Sequence, residues 1–234
     1  MPQAPAGSGP RRRAVLAAAL APLAGAGCSG EEAWRTPATE PPPATEPPPP
    51  AGAGPAPGAP AAPKDALIMV IRHAEKPYAG GVGRDAEGED DLGSLAGRGW
   101  RRAERLPRLF PPDPGSSLPR PAALFAAGGK GAAPARCEQT VAALATALRT
   151  PVRTEFAVGA EAALAQAASA APMPVLVCWE HSGIPRLVRA LGAHQVPGTP
   201  ATWPDRHDLV WTFTRRQGRW SFRELPQHLL PGDV

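Results

Sequence analysis

The sequence predicts an α/β fold, a three-layer sandwich with a mostly parallel central sheet flanked by helices on both faces. Three observations carry this expectation. Apolar strand-like runs alternate with helical patterns from residue 66 onward in a chain of 234 residues, and such alternation builds a sheet covered by helices. The helical stretches repeat Ala or Leu at three- and four-residue spacing, the period of one helix face. Proline and glycine number 33 and 25, enough to reach the low-complexity range. Twelve of those prolines fall between Pro37 and Pro63, so the excess belongs to one segment. A domain the length of residues 64–234 buries roughly 70% of its unfolded surface without disulfides or a structural metal.

Residues 1–30 read as a signal or lipoprotein segment that stays out of the fold. Arg11, Arg12 and Arg13 form a positive start, and Ala14 to Ala24 is an apolar run too short for a permanent membrane helix. The run ends in Leu23-Ala24-Gly25-Ala26-Gly27-Cys28 followed by Ser29 and Gly30, which looks like a bacterial lipoprotein processing site with the lipid on Cys28. Plain signal cleavage between Ala24 and Gly27 is the alternative. Residues 31–63 repeat Ala-Thr-Glu-Pro-Pro-Pro from Ala38 and again from Ala44. This composition favours extended polyproline geometry and packs no core, so it reads as a disordered linker between a membrane and residues 64–234. The chain is thus expected to be exported and anchored, facing the periplasm or cell exterior.

Strands are expected at Ala66 to Ile71, Ala122 to Ala126, Pro151 to Thr154, Val175 to Trp179, Leu209 to Thr214 and Trp220 to Leu225. Helices are expected at Gly99 to Phe110, Arg136 to Leu148, Ala160 to Ala170 and Gly183 to Leu191. The first 63 residues carry four Arg against four Glu, so the formal net charge of +4 lies in the remainder. That small surplus does not argue for nucleic acid. The densest basic stretch, Arg98 to Arg108, reads as the solvated outer face of one helix.

Ligands of such sheets sit beyond the carboxyl ends of the strands. Those ends deliver Arg72 and His73 after the first strand, Arg136 after the second and its Gly-rich loop, and Glu180 and His181 after the strand ending at Trp179. Two His and two Arg at one edge suit phosphoryl transfer. Guanidinium forks bind phosphate oxygens in pairs and keep their proton, and a neutral imidazole attacks phosphorus in line and holds the group covalently. The helix starting near Arg136 adds N–H groups and a positive dipole at the same rim.

These motifs resemble the histidine phosphatase superfamily, which includes phosphoglycerate mutases and acid phosphatases, and in particular its compact mutase-like branch. The resemblance spans about Ala66 to Leu225 and rests on Val70-Ile71-Arg72-His73-Ala74-Glu75, on Arg98-Gly99-Trp100 with Arg102-Ala103, on Arg136-Cys137-Glu138-Gln139-Thr140, and on Glu180-His181. Ala74 stands where the family signature has Gly. The resemblance implies that His73 is the phosphorylated nucleophile, that Arg72, Arg136 and His181 hold the phosphate, and that neither metal nor cofactor is needed. The acid phosphatase branch places an Asp donor directly after the second His, where this chain has Ser182. In the mutase-like branch a Glu after the third strand does this work, and the choices are Glu155, then Glu161, then Glu180.

The expected activity is hydrolysis of small phosphomonoesters through a phosphohistidine. A mutase-like phosphotransferase and an inactive phosphate-binding module are the alternatives. Glu87, Glu89, Asp90 and Asp91 read as a solvated loop, Cys137 and Cys178 as buried thiols, and Trp203, Trp211 and Trp220 as packing. Substrate identity and oligomeric state leave no mark on the sequence. If Cys28 carries lipid, the full-length protein partitions into detergent and Cys28→Ser moves it to the aqueous phase. Equal partitioning of the two forms refutes the anchor.

Overall fold

The structure is a computed structural model that describes residues 65–78, 81–112, 118–128 and 135–234. The expectations for residues 1–63, including Cys28 and the linker, lie outside the described residues. Strand β1 (Ala66–Arg72) is buried along nearly its whole length. A two-residue ladder of β2 (Gly83–Arg84) and β3 (Asp90–Asp91) follows. Helix α1 (Gly97–Arg105) passes into a 3-10 turn at Leu106–Leu109, where Pro107 stands and cannot continue the α-helical hydrogen bonding. Then come β4 (Ala123–Ala126), α2 (Arg136–Leu148), β5 (Val152–Arg153), α3 (Glu161–Ala170), β6 (Val175–Trp179), α4 (Ile184–Ala190), and the hairpin of β7 (Leu209–Arg216) and β8 (Arg219–Pro226).

Six strands form one sheet in the order β5-β4-β6-β1-β7-β8. The β5–β4, β4–β6 and β6–β1 pairs are parallel, and the β1–β7 and β7–β8 pairs are antiparallel. This order explains the layers. Crossovers between parallel strands are right-handed, and β1→β4 and β4→β5 step across the sheet one way while β5→β6 steps back. Helices α1 and α2 therefore cover one face and α3 the other, where α4 joins it. The core between them is aliphatic and aromatic, with Ile68, Ile71, Leu124, Phe125, Val177, Trp179, Trp211 and Phe213 fully buried. Cys137 and Cys178 are free and buried as expected, and burial pushes the Cys178 thiol well above its ordinary pKa.

The basic stretch on α1 differs from the expected solvated face. The Arg102 side chain is 3% exposed and bridges Glu75 and Asp233, each at 2.8 Å, while Arg98 reaches the same two carboxylates and Arg105 donates to the Leu229 carbonyl. Spacing at i, i+4 and i+7 sets these three on one stripe. That stripe faces the segment after β8, whose Asp233 carboxylate and Gln227 side-chain oxygen accept from the buried Arg102.

Helix α1 lies close against the turn after β1. The Ala96 N–H donates to the Glu75 carbonyl, and a Cβ on Gly99 would stand 2.4 Å from that same oxygen. Only glycine allows this approach. Gly99→Ala is therefore expected to destabilise the fold by about 1–3 kcal/mol, the usual cost of overpacking. Urea unfolding curves check this, and an unchanged midpoint refutes it.

Candidate active site

Parallel pairing of β1 with β6 continues one residue past the strand, because His73 N–H donates to the Trp179 carbonyl at 3.2 Å. His73 is thereby held at the carboxyl edge of the sheet, 4% exposed. Its Nδ1 lies 2.7 Å from the Ala74 carbonyl oxygen. A carbonyl only accepts, so Nδ1 carries the hydrogen and Nε2 of the neutral ring keeps its lone pair. Burial, reinforced by the charges of Arg72 and Arg136, lowers the His73 pKa to about 4 despite the bond to Ala74. The ring is neutral at pH 7.

The next turn is tied to α2. Ala74 N–H donates to Thr140 Oγ1 at 2.8 Å, and that hydroxyl donates to the Arg136 carbonyl at 2.6 Å. Ala74 is fully buried beside Leu95, Ala103 and Trp100, so its methyl fills space against α1. Arg136, the first residue of α2, donates from Nη2 to the Leu92 carbonyl at 2.7 Å and from Nε to the Ser94 carbonyl at 3.3 Å. Both acceptors are neutral, and its charge is not consumed by them.

Arg72 is 4% exposed, and its Nη1 donates to Asp205 Oδ1 at 3.0 Å. Among the described residues its buried Nε–H meets no acceptor. His181 follows β6, with Nδ1 2.7 Å from Glu180 Oε1 but outside hydrogen-bond alignment. Glu180 also accepts from the Ser182 backbone N–H at 2.9 Å and from the Ser182 hydroxyl. The His73 N–H meets the carbonyl of Trp179, the residue before Glu180, so the end of β6 and the end of β1 meet at one place.

The other two carboxylates are placed differently. Glu155 is half-exposed beyond β5, paired with Arg153 at 2.5 Å. Three strand steps separate β5 from β1, about 14 Å at the usual sheet spacing. Glu161 is buried and holds the opposite helix pair together, accepting from Arg186 at 3.0 Å, from Trp179 Nε1 at 3.2 Å and from the Gly159 N–H at 3.0 Å.

Two residues of this edge escaped the reading of the sequence. His207 Nδ1 donates to the His73 carbonyl oxygen at 2.8 Å, and the two imidazoles stand 5.7 Å apart. Asp205 pairs with Arg72. Both lie on the loop before β7, and together with Arg72, Glu75, Lys76 and Tyr78 they line a cleft of about 340 Å³. The available signal was the hairpin of β7 and β8: an antiparallel strand beside β1 begins where β1 ends, as the pairing of Val70 with Trp211 shows, so the residues before it reach the carboxyl edge.

No family model and no curated protein matches the chain. Solved structures similar to it include a protein described as the phosphohistidine phosphatase SixA of Nakamurella multipartitia, at 17% identity and a TM-score of 0.43, covering 70% of this chain and 96% of that one. A phosphoserine phosphatase of Entamoeba histolytica aligns at 13% identity and a TM-score of 0.44, covering 70% and 100%. A phosphoglycerate mutase of Bacillus anthracis aligns at 9% identity and a TM-score of 0.42, covering 69% and 93%.

Between its ordinary pKa of 6.5 and the folded value of about 4, an unfolded His73 binds more proton than the folded one. Its contribution to stability therefore falls as pH drops through that window. The ring is expected to remain the neutral Nδ1–H tautomer at pH 5.5 and to titrate near pH 4. Nitrogen chemical shifts of the imidazole check this, and titration near 6.5 contradicts it.

Proposed function

We propose that the chain is a phosphatase that hydrolyses phosphomonoesters through a phosphohistidine on His73. The observation that carries this reading is the pair at the end of β1. A nearly buried Arg72 holds an N–H with no acceptor among the described residues, directly beside an imidazole kept neutral with its Nε2 lone pair unprotonated. A buried cation calls for an anion, and a neutral imidazole next to a bound phosphoryl group is a nucleophile.

In this reading the phosphate oxygens take the free valence of Arg72, the charge of Arg136 and His181. The His73 Nε2 lone pair attacks phosphorus in line as the bond to the leaving oxygen breaks. Water then attacks phosphorus, the N–P bond breaks, and its electron pair returns to Nε2. Two guanidinium groups and the His181 ring are available to the phosphate, which supports catalysis without a divalent ion. The targeting pattern of residues 1–30 supports export, with Cys28 as the lipid-bearing residue and small extracytoplasmic phosphomonoesters as substrates.

His73→Ala is expected to abolish both turnover of p-nitrophenyl phosphate and acid-labile labelling of the protein, with phosphate binding retained through Arg72. Activity of the wild type is expected to survive EDTA. Phosphate binding without turnover in the wild type identifies a binding module instead, and activity that EDTA removes and metal restores refutes metal independence.

A further inference from the structure

We propose that Asp205 is the residue that protonates the leaving oxygen and that, in the resting site, it occupies the position on Arg72 that the substrate phosphate takes. The inference rests on the phosphatase reading. The groups assigned there bind and attack the phosphoryl group, and none of them donates a proton to the departing alkoxide. That donor must reach the cleft.

Among the described residues two carboxylates line the cleft, Glu75 and Asp205. Glu75 is fixed by Arg102 through contacts of 2.8 to 3.2 Å and by Arg98 at 3.0 Å, so it is a structural anion. Asp205 has one strong bond, to Arg72, and its side chain is 99% exposed against 4% for its partner. Asp205 can therefore swing away, while Arg72 stays where it is. Glu155 is held by Arg153 at the far edge of the sheet, and Glu180 by Ser182.

The charged and titratable groups acting on Asp205 are Arg72, His207 and His181. In the resting site the hydrogen bond and charge of Arg72 keep its carboxyl below the ordinary range. Once a phosphate oxygen takes Arg72, that support is gone and an anion lies nearby, which favours the protonated carboxyl. The proton arrives with the substrate monoanion. Asp205 then gives it to the leaving oxygen as His73 Nε2 binds phosphorus, producing the alcohol, the phosphohistidine and an Asp205 carboxylate. In the second step the carboxylate takes a proton from the attacking water and passes it to the departing phosphate, which leaves as the monoanion, and the Asp205 carboxylate returns to Arg72.

The test compares full-length wild type, Asp205→Asn, Glu155→Gln and Glu180→Gln on an alkyl phosphate and on p-nitrophenyl phosphate, whose leaving group departs without a proton. Asp205→Asn is expected to lower kcat/KM for the alkyl ester by about a hundredfold to ten-thousandfold and for the nitrophenyl ester by less than tenfold. It should also accumulate acid-labile phosphate on His73 during nitrophenyl turnover, since the second step loses its base. A residue that merely partners Arg72 would change both esters alike, and that outcome overturns the proposal, as does the ester-selective loss appearing in Glu155→Gln or Glu180→Gln instead. A wild type that turns over neither ester and takes no label overturns the phosphatase reading itself.

Discussion

Arg72 and His73 place a permanent cation and a neutral imidazole side by side at a strand end, both about 4% exposed. Much of the site follows from that juxtaposition. Burial disfavours a charged imidazole, and the neighbouring guanidinium disfavours it further. The bond from Nδ1 to the Ala74 carbonyl then fixes which nitrogen keeps its lone pair. The guanidinium cannot shed its charge by losing a proton, so it requires a counter-anion instead. One side chain thus keeps an unprotonated nitrogen at the strand end, and the next keeps a permanent charge there.

Holding two such groups still takes a frame on three sides. The β6 strand fixes the His73 backbone through the Trp179 carbonyl, α2 fixes Ala74 through Thr140, and the loop before β7 fixes the His73 carbonyl through His207. Farther out, Glu75 accepts from Arg98 and Arg102, which also grasp Asp233. Removing one partner from such a buried network leaves an uncompensated charge, typically costing about 3–5 kcal/mol. The network joins the turn after β1 to the segment after β8, two parts of the chain that carry no local sign of meeting.

Range explains which parts of the site were legible in the sequence. Strand runs such as Leu67 to Ile71 and Val175 to Trp179 are dictated locally by apolar side chains, and the rule that parallel strands deliver ligand groups at their carboxyl ends directed attention to Arg72, His73, Arg136 and His181. Arg102 was read as solvated because its partner Asp233 lies 131 residues away, and spacing on one helix cannot reveal a carboxylate contributed by another segment. Asp205 and His207 were missed for a related reason, since their arrival depends on β7 pairing antiparallel to β1. Glu155 and Glu161 were suggested by the family resemblance, and in the fold Arg153 and Arg186 hold their carboxylates.

The carboxylates around the cleft differ in how firmly they are held, and that difference orders their chemistry. Glu75 and Asp233 share a guanidinium that is itself 3% exposed, and separating them would strand charge in the interior. The pair of Asp205 with Arg72 has one end in water. Ion pairs open to solvent are screened and contribute little, whereas charge-assisted bonds shielded from water are among the stronger ones. The exposed end of the pair is therefore the less constrained end, and the buried end stays packed beside His73.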